Sequence, residues 1–219
     1  MTELPLAPPA AATTSLAAGE RTLLVRRARL LAWSGNAWHL IEFAIAVGAG
    51  LAAGSIALIG FGFDSLIEAA AGGVIVWRFA APRSSSEHAE RRAQQLIAAT
   101  YFLLAIYVGE ESVRTLAAGS HPRASWVGIG LAAFTAPTMP LLARAKRRVG
   151  SRLNSSATVS EATQNMVCAY LSVALLAGLG TNAFLGWWWA DPAAALVIGA
   201  VAFREGCETW QGESCCDVC

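Results

Sequence analysis

The sequence predicts an all-α integral membrane protein with six transmembrane helices and both termini in the cytoplasm. Three observations carry that prediction. Hydrophobic residues make up 55% of the 219 positions and charged residues 14%, with a mean hydropathy of +0.48, more apolar surface than a soluble domain of this size can hide. Apolar stretches long enough to cross a bilayer recur near 31–52, 55–78, 94–117, 126–143, 158–180 and 184–203. The basic residues, finally, alternate with those stretches.

Arg21, Arg26, Arg27 and Arg29 precede the first span, and Arg78, Arg83, Arg91 and Arg92 follow the second. Arg144, Lys146, Arg147, Arg148 and Arg152 follow the fourth, and Arg204 follows the sixth. Only Arg114 and Arg123, of 16 Lys and Arg, fall in the opposite loops. Positive loops stay on the cytoplasmic side, so both ends lie there, in a multi-pass protein of the plasma (inner) membrane. The net charge of +1 conceals this asymmetry.

Residues 1–29 read as a disordered cytoplasmic tail. Their first 20 positions are rich in Ala, Pro and Thr, with no basic start and no apolar core ahead of a small-residue cleavage site, which sets them apart from a signal peptide. The first span carries Asn36, His39 and Glu42, three residues apart and therefore on one face. The second carries Asp64 and Glu68 within a lipid-length apolar run, one helical turn from each other. Ionisable groups at such depth cost several kcal/mol, so they face the bundle interior or a watery cavity. Two neighbouring carboxylates repel unless a proton or a cation lies between them, and the pair therefore suggests a cation site.

Glu110 and Glu111, one turn before Arg114 at the outer end of the third span, read as an interfacial ion-pair cluster or as the lining of a cation exit. Pro137 and Pro140 are tolerable in the fourth span, where neighbouring helices can satisfy the freed carbonyls, and they predict a kink. The fifth span opens with Glu161, Gln164, Asn165 and Cys168 on one face. Trp187, Trp188 and Trp189 predict an aromatic anchor at the membrane interface. The Asp191-Pro192 step after them reads as a helix cap followed by proline in the first turn of the sixth span.

Polar faces on spans one, two and five must point to one another or to a watery cavity, which predicts a polar centre with Asn36, Asn165 and Asp191 as a secondary polar path. Carboxylate, imidazole and thiolate together suit zinc-like divalent ions, whereas calcium and magnesium prefer oxygen alone. Blander readings stay open: Glu42 or Glu161 as hydrogen-bonded fastenings between helices, Cys168 as a small buried hydrophobe, His39 as a core histidine. Residues 207–219 form a cytoplasmic tail in which Cys207, Cys215, Cys216 and Cys219 collect a soft metal or remain free thiols. No Gly-rich phosphate cradle is present, so ATP is not expected to act here, nor is catalytic chemistry or a nucleic-acid partner.

Three segments carry a family resemblance. The stretch Gly54-Ser-Ile-Ala-Leu-Ile-Gly-Phe-Gly-Phe-Asp-Ser-Leu-Ile-Glu68, the loop Met139-Pro-Leu-Leu-Ala-Arg-Ala-Lys-Arg-Arg148 and the helix start Trp189-Ala-Asp-Pro-Ala-Ala-Ala-Leu-Val-Ile198 resemble the transmembrane domain of the cation diffusion facilitator family. These are zinc, cobalt and cadmium efflux carriers with six helices, and the resemblance covers 30–206. It implies export of a cytosolic divalent ion, zinc foremost, against protons, by alternating access in a homodimer, with no cofactor beyond the transported ion. The family's second-helix ligand pair falls on Asp64 and Glu68. Its fifth-helix pair, usually His and Asp, falls on Gln164 and Cys168, a departure that leaves the site to be completed by Cys168 with Glu161 or Asn165, or with His39 or Glu42. The family's cytoplasmic metal-binding domain after the sixth helix has no counterpart, only the Cys-bearing tail. A membrane protein that binds or senses metal without transporting it is the alternative.

Overall fold

The computed structural model describes residues 18–80, 87–153 and 155–211, apart from the side chains of 18, 71, 74–80, 87–94, 97, 156, 157 and 160. Six helices account for nearly all of it: α1 (Ala18–Ala53), α2 (Ile56–Ala80), α3 (Glu87–Ala118), α4 (Trp126–Leu153), α5 (Ser156–Leu185) and α6 (Ala190–Gln211). Among the described residues there is no strand. Three helices among the described residues are long and apolar enough to cross a membrane, at Gly19–Ala53, Trp126–Leu153 and Glu161–Leu185.

Short polar caps separate the helices. Ser55 Oγ accepts from Leu58 N at 3.1 Å and Ser125 Oγ from Gly128 N at 3.1 Å, each satisfying an otherwise orphaned amide in a first turn. Gly186 ends α5 in the left-handed region, with φ of 67°, where only glycine avoids a clash of its side chain with the backbone. Trp187 and Trp189 stack with centroids 5.5 Å apart immediately after it.

Helices pack in three close pairs, α4 on α5, α1 on α2 and α3 on α6, with α2 also touching α3, α5 and α6. Small residues let the backbones approach: a Cβ on Gly178 of α5 would lie 2.6 Å from the Ala194 Cβ of α6, and one on Gly128 of α4 would lie 2.7 Å from Leu58 Cδ2 of α2. Beside an apolar core, the pattern of burial departs from that of a soluble protein. Asn36, His39, Glu42, Asp64, Glu68 and Asn165 are buried, while Leu40, Leu103, Ile106, Leu141, Val173 and Phe184 are exposed.

Several boundaries differ from the sequence reading. Residues 18–29, read as part of a disordered tail, are the first turns of α1. Beyond Gly19 nothing in that run breaks a helix; Leu24 is buried, and Glu20 pairs with Arg152 at the end of α4. At the other terminus α6 continues to Gln211, so Cys207 stands half-buried on a helix and not in a tail. Pro137 and Pro140 lie inside a helix that continues past both. Arg78, Arg83, Arg91, Arg92, Cys215, Cys216 and Cys219 lie outside the described residues and side chains.

Candidate metal centre

His39, Glu68 and Cys168 come from three different helices, α1, α2 and α5, and all three side chains are buried. Each offers one donor atom, and these atoms lie within 4.8 Å of one another. His39 Nδ1 is 3.2 Å from Glu68 Oε2, yet neither atom has a hydrogen-bond partner: the distance is short enough, the direction is wrong. Buried polar atoms are almost always paired, so two orphans facing each other mark a place where a third body belongs. In a tetrahedral zinc centre with bonds of ~2.0–2.3 Å, donors stand roughly 3.3–3.8 Å apart, so the set needs to contract by about 1 Å to close on an ion.

Glu42 borders the trio and organises it. Its Oε1 accepts from Thr135 Oγ1 of α4 at 2.5 Å and its Oε2 from Ser65 Oγ of α2 at 3.0 Å. Cys168 Sγ stands 3.8 Å and His39 Nδ1 3.5 Å from the same Oε2. A carboxylate held this way orients its neighbours and still has lone pairs open to a metal. Asp64, one turn before Glu68, lies outside the 4.8 Å set, but it is buried and its Oδ2 has no partner. It offers a spare oxygen one turn from Glu68 on the same helix.

The fifth-helix residues divide. Cys168 joins the centre; Gln164, one turn before it, is only half-buried. Glu161 and Asn165 engage a residue that sequence reasoning assigned to the basic loop. Lys146 of α4 is buried, with its Nζ 3.2 Å from Glu161 Oε2 and 3.0 Å from Asn165 Oδ1. An ammonium on those oxygens opposes their use as ligands of the same ion as Cys168. The signal for Lys146 in the sequence is weak: it sits among four arginines, and only its compact head distinguishes it. Asn36 is buried against Gly72 of α2, where a Cβ would lie 2.2 Å from its Oδ1.

Asp191 does not cap its own helix. Its Oδ1 accepts from Ser55 Oγ at 2.5 Å and its Oδ2 from Ile56 N at 3.0 Å, so it caps α2 from across the bundle. Glu110 and Glu111 pair with Arg114 at 2.7 and 3.8 Å at the exposed end of α3, the ion-pair form of the two sequence readings. No protein-family model matches this chain, and no curated protein is found to be similar to it.

Proposed function

We propose that this chain is a six-span membrane carrier for a zinc-like divalent cation, which it moves out of the cytoplasm in exchange for protons. The observation that carries the reading is the buried trio His39, Glu68 and Cys168, whose donor atoms share one 4.8 Å volume at the junction of α1, α2 and α5. Imidazole nitrogen, carboxylate oxygen and thiolate sulfur are a donor set for zinc, cadmium or cobalt and a poor one for alkali ions. Asp64 stands by as a fourth ligand.

Proton coupling follows from the same donors. His39 must be neutral at its ligating nitrogen and Cys168 and Glu68 deprotonated before an ion binds, so binding releases protons and protonation expels the ion. Acidifying the medium therefore weakens zinc affinity. A centre of this kind on the inside of a bundle with an apolar exterior fits a protein that carries its ligand through lipid. The alternation of basic loops supports cytoplasmic termini, and the resemblance to cation diffusion facilitators supports a homodimer in the plasma (inner) membrane.

Zinc flux into proteoliposomes, with internal pH followed at the same time, tests the proposal. The expected result is saturable zinc uptake accompanied by proton counterflow, lost in Glu68→Gln. Zinc binding without flux would make the protein a sensor or buffer, and no binding would remove the metal centre altogether.

A further inference from the structure

A second set of polar atoms lies between α4 and α5, with Asn165 about 5 Å and Glu161 about 10 Å along α5 from Cys168. Lys146 Nζ sits 3.2 Å from Glu161 Oε2 and 3.0 Å from Asn165 Oδ1, and the Lys146 and Glu161 side chains are only 4% and 5% exposed. Asn165 Nδ2 donates to Met139 Sδ at 3.1 Å, which turns Oδ1 toward the ammonium. Gly35 of α1 forms the remaining wall, since a Cβ there would come within 3.0 Å of Nζ. The second carboxylate oxygen, Glu161 Oε1, is buried and has no hydrogen-bond partner.

Two oxygens from one face of α5 thus converge on a buried point, a third oxygen is unused, and a primary ammonium occupies that point. An ammonium supplies the charge that a buried carboxylate requires, but it is tethered to α4 and cannot leave. We propose that Lys146 is a built-in cation filling a second divalent-cation position formed by Glu161 and Asn165. It thereby confines the chain to one ion, held at His39, Glu68 and Cys168. Without it, Glu161 would hold an ion on the same helix as Cys168 and compete with the centre. The proposal rests on reading that centre as a cation site. An oxygen-only position of this kind takes a hard or borderline ion, manganese or zinc.

Counting bound ions separates this role from simple fastening of α4 to α5. Manganese, which thiolates hold poorly, is titrated into the purified full-length chain, and the difference between variants is read. Lys146→Ser leaves room for a hydrated ion and is expected to bind one manganese more than the native chain. The added ion should vanish in Lys146→Ser/Glu161→Gln. Should Lys146→Ser fail to accumulate, Lys146→Asp supplies a second carboxylate, and its Tm should rise with manganese well beyond any rise in the native protein. No additional ion in Lys146→Ser, or no such rise in Lys146→Asp, overturns the proposal. A native chain that binds no zinc in a parallel titration would refute the metal centre instead, while an increment of one manganese in Lys146→Ser would still support the role given to Lys146.

Discussion

Asp191 and Glu68 are carboxylates of the same bundle, both almost inaccessible, and their surroundings differ in kind. Asp191 receives the Ser55 hydroxyl and the Ile56 amide at 2.5 and 3.0 Å, with Ala57 N at 3.5 Å behind them. Glu68 keeps Oε2 without a hydrogen-bond partner, and Asp64 likewise keeps Oδ2. Hydrogen bonds from a helix start offset much of the cost of burying Asp191, so it fastens α6 to α2 and needs no other partner. The two α2 acids each keep one buried oxygen without such compensation. Burial alone therefore says little about role; what distinguishes a ligand from a fastening is whether its lone pairs are already used.

Substitutions should separate these two regions. The largest effect is expected from Glu68→Gln, which keeps shape and removes the charge: zinc flux should fall by roughly 100-fold or more while the protein still reaches the membrane, because removing a ligating charge from a buried site forfeits most of its affinity. Retained flux in that variant would place the ion elsewhere. Asp191→Ala should do the reverse, lowering stability by about 2–4 kcal/mol through stranded donors at Ser55 and Ile56 and leaving flux per folded molecule unchanged. Denaturant unfolding in micelles beside a flux assay reads both. If Asp191→Ala folded normally and stopped transport, the distinction between the two acids would collapse.

Smaller changes sharpen the comparison. Cys168→Asp replaces a soft donor with a hard one, and the ratio of cadmium to manganese affinity should fall on the order of 10-fold; an unchanged ratio would leave Cys168 as packing. Arg114→Ala removes the exposed pairs with Glu110 and Glu111 and should cost less than ~0.5 kcal/mol, since solvent screens such pairs.

Much of this architecture is legible in the sequence, for physical reasons. Composition and apolar run length announce helices of bilayer length, and the three- and four-residue spacings of Asn36, His39 and Glu42 and of Asp64 and Glu68 place each group on one face. The meeting of His39, Glu68 and Cys168 is only half legible, since periodicity gives faces but not which faces touch. Glu42 reads as a candidate ligand, and its bond from Thr135, 93 positions away, cannot be read from local spacing. Lys146 reads as one basic residue among several, and only its neighbours Gly35, Glu161 and Asn165 reveal that it turns inward. Asp191 satisfies the local pattern for a cap, yet it caps a helix 135 positions earlier. The helix ends were misjudged because hydropathy marks the apolar span, whereas Leu24 and the Glu20 to Arg152 pair extend α1 beyond it.

X-ray absorption at the zinc edge tests most directly whether His39, Glu68 and Cys168 hold the ion. The chain would carry Cys207→Ser, Cys215→Ser, Cys216→Ser and Cys219→Ser, leaving Cys168 as its sole thiol. The expected spectrum has one sulfur at about 2.3 Å and the remaining nitrogen and oxygen donors at about 2.0–2.2 Å, with the sulfur lost on Cys168→Ser. A shell of oxygen and nitrogen alone, identical with and without Cys168, would contradict the assignment of this centre.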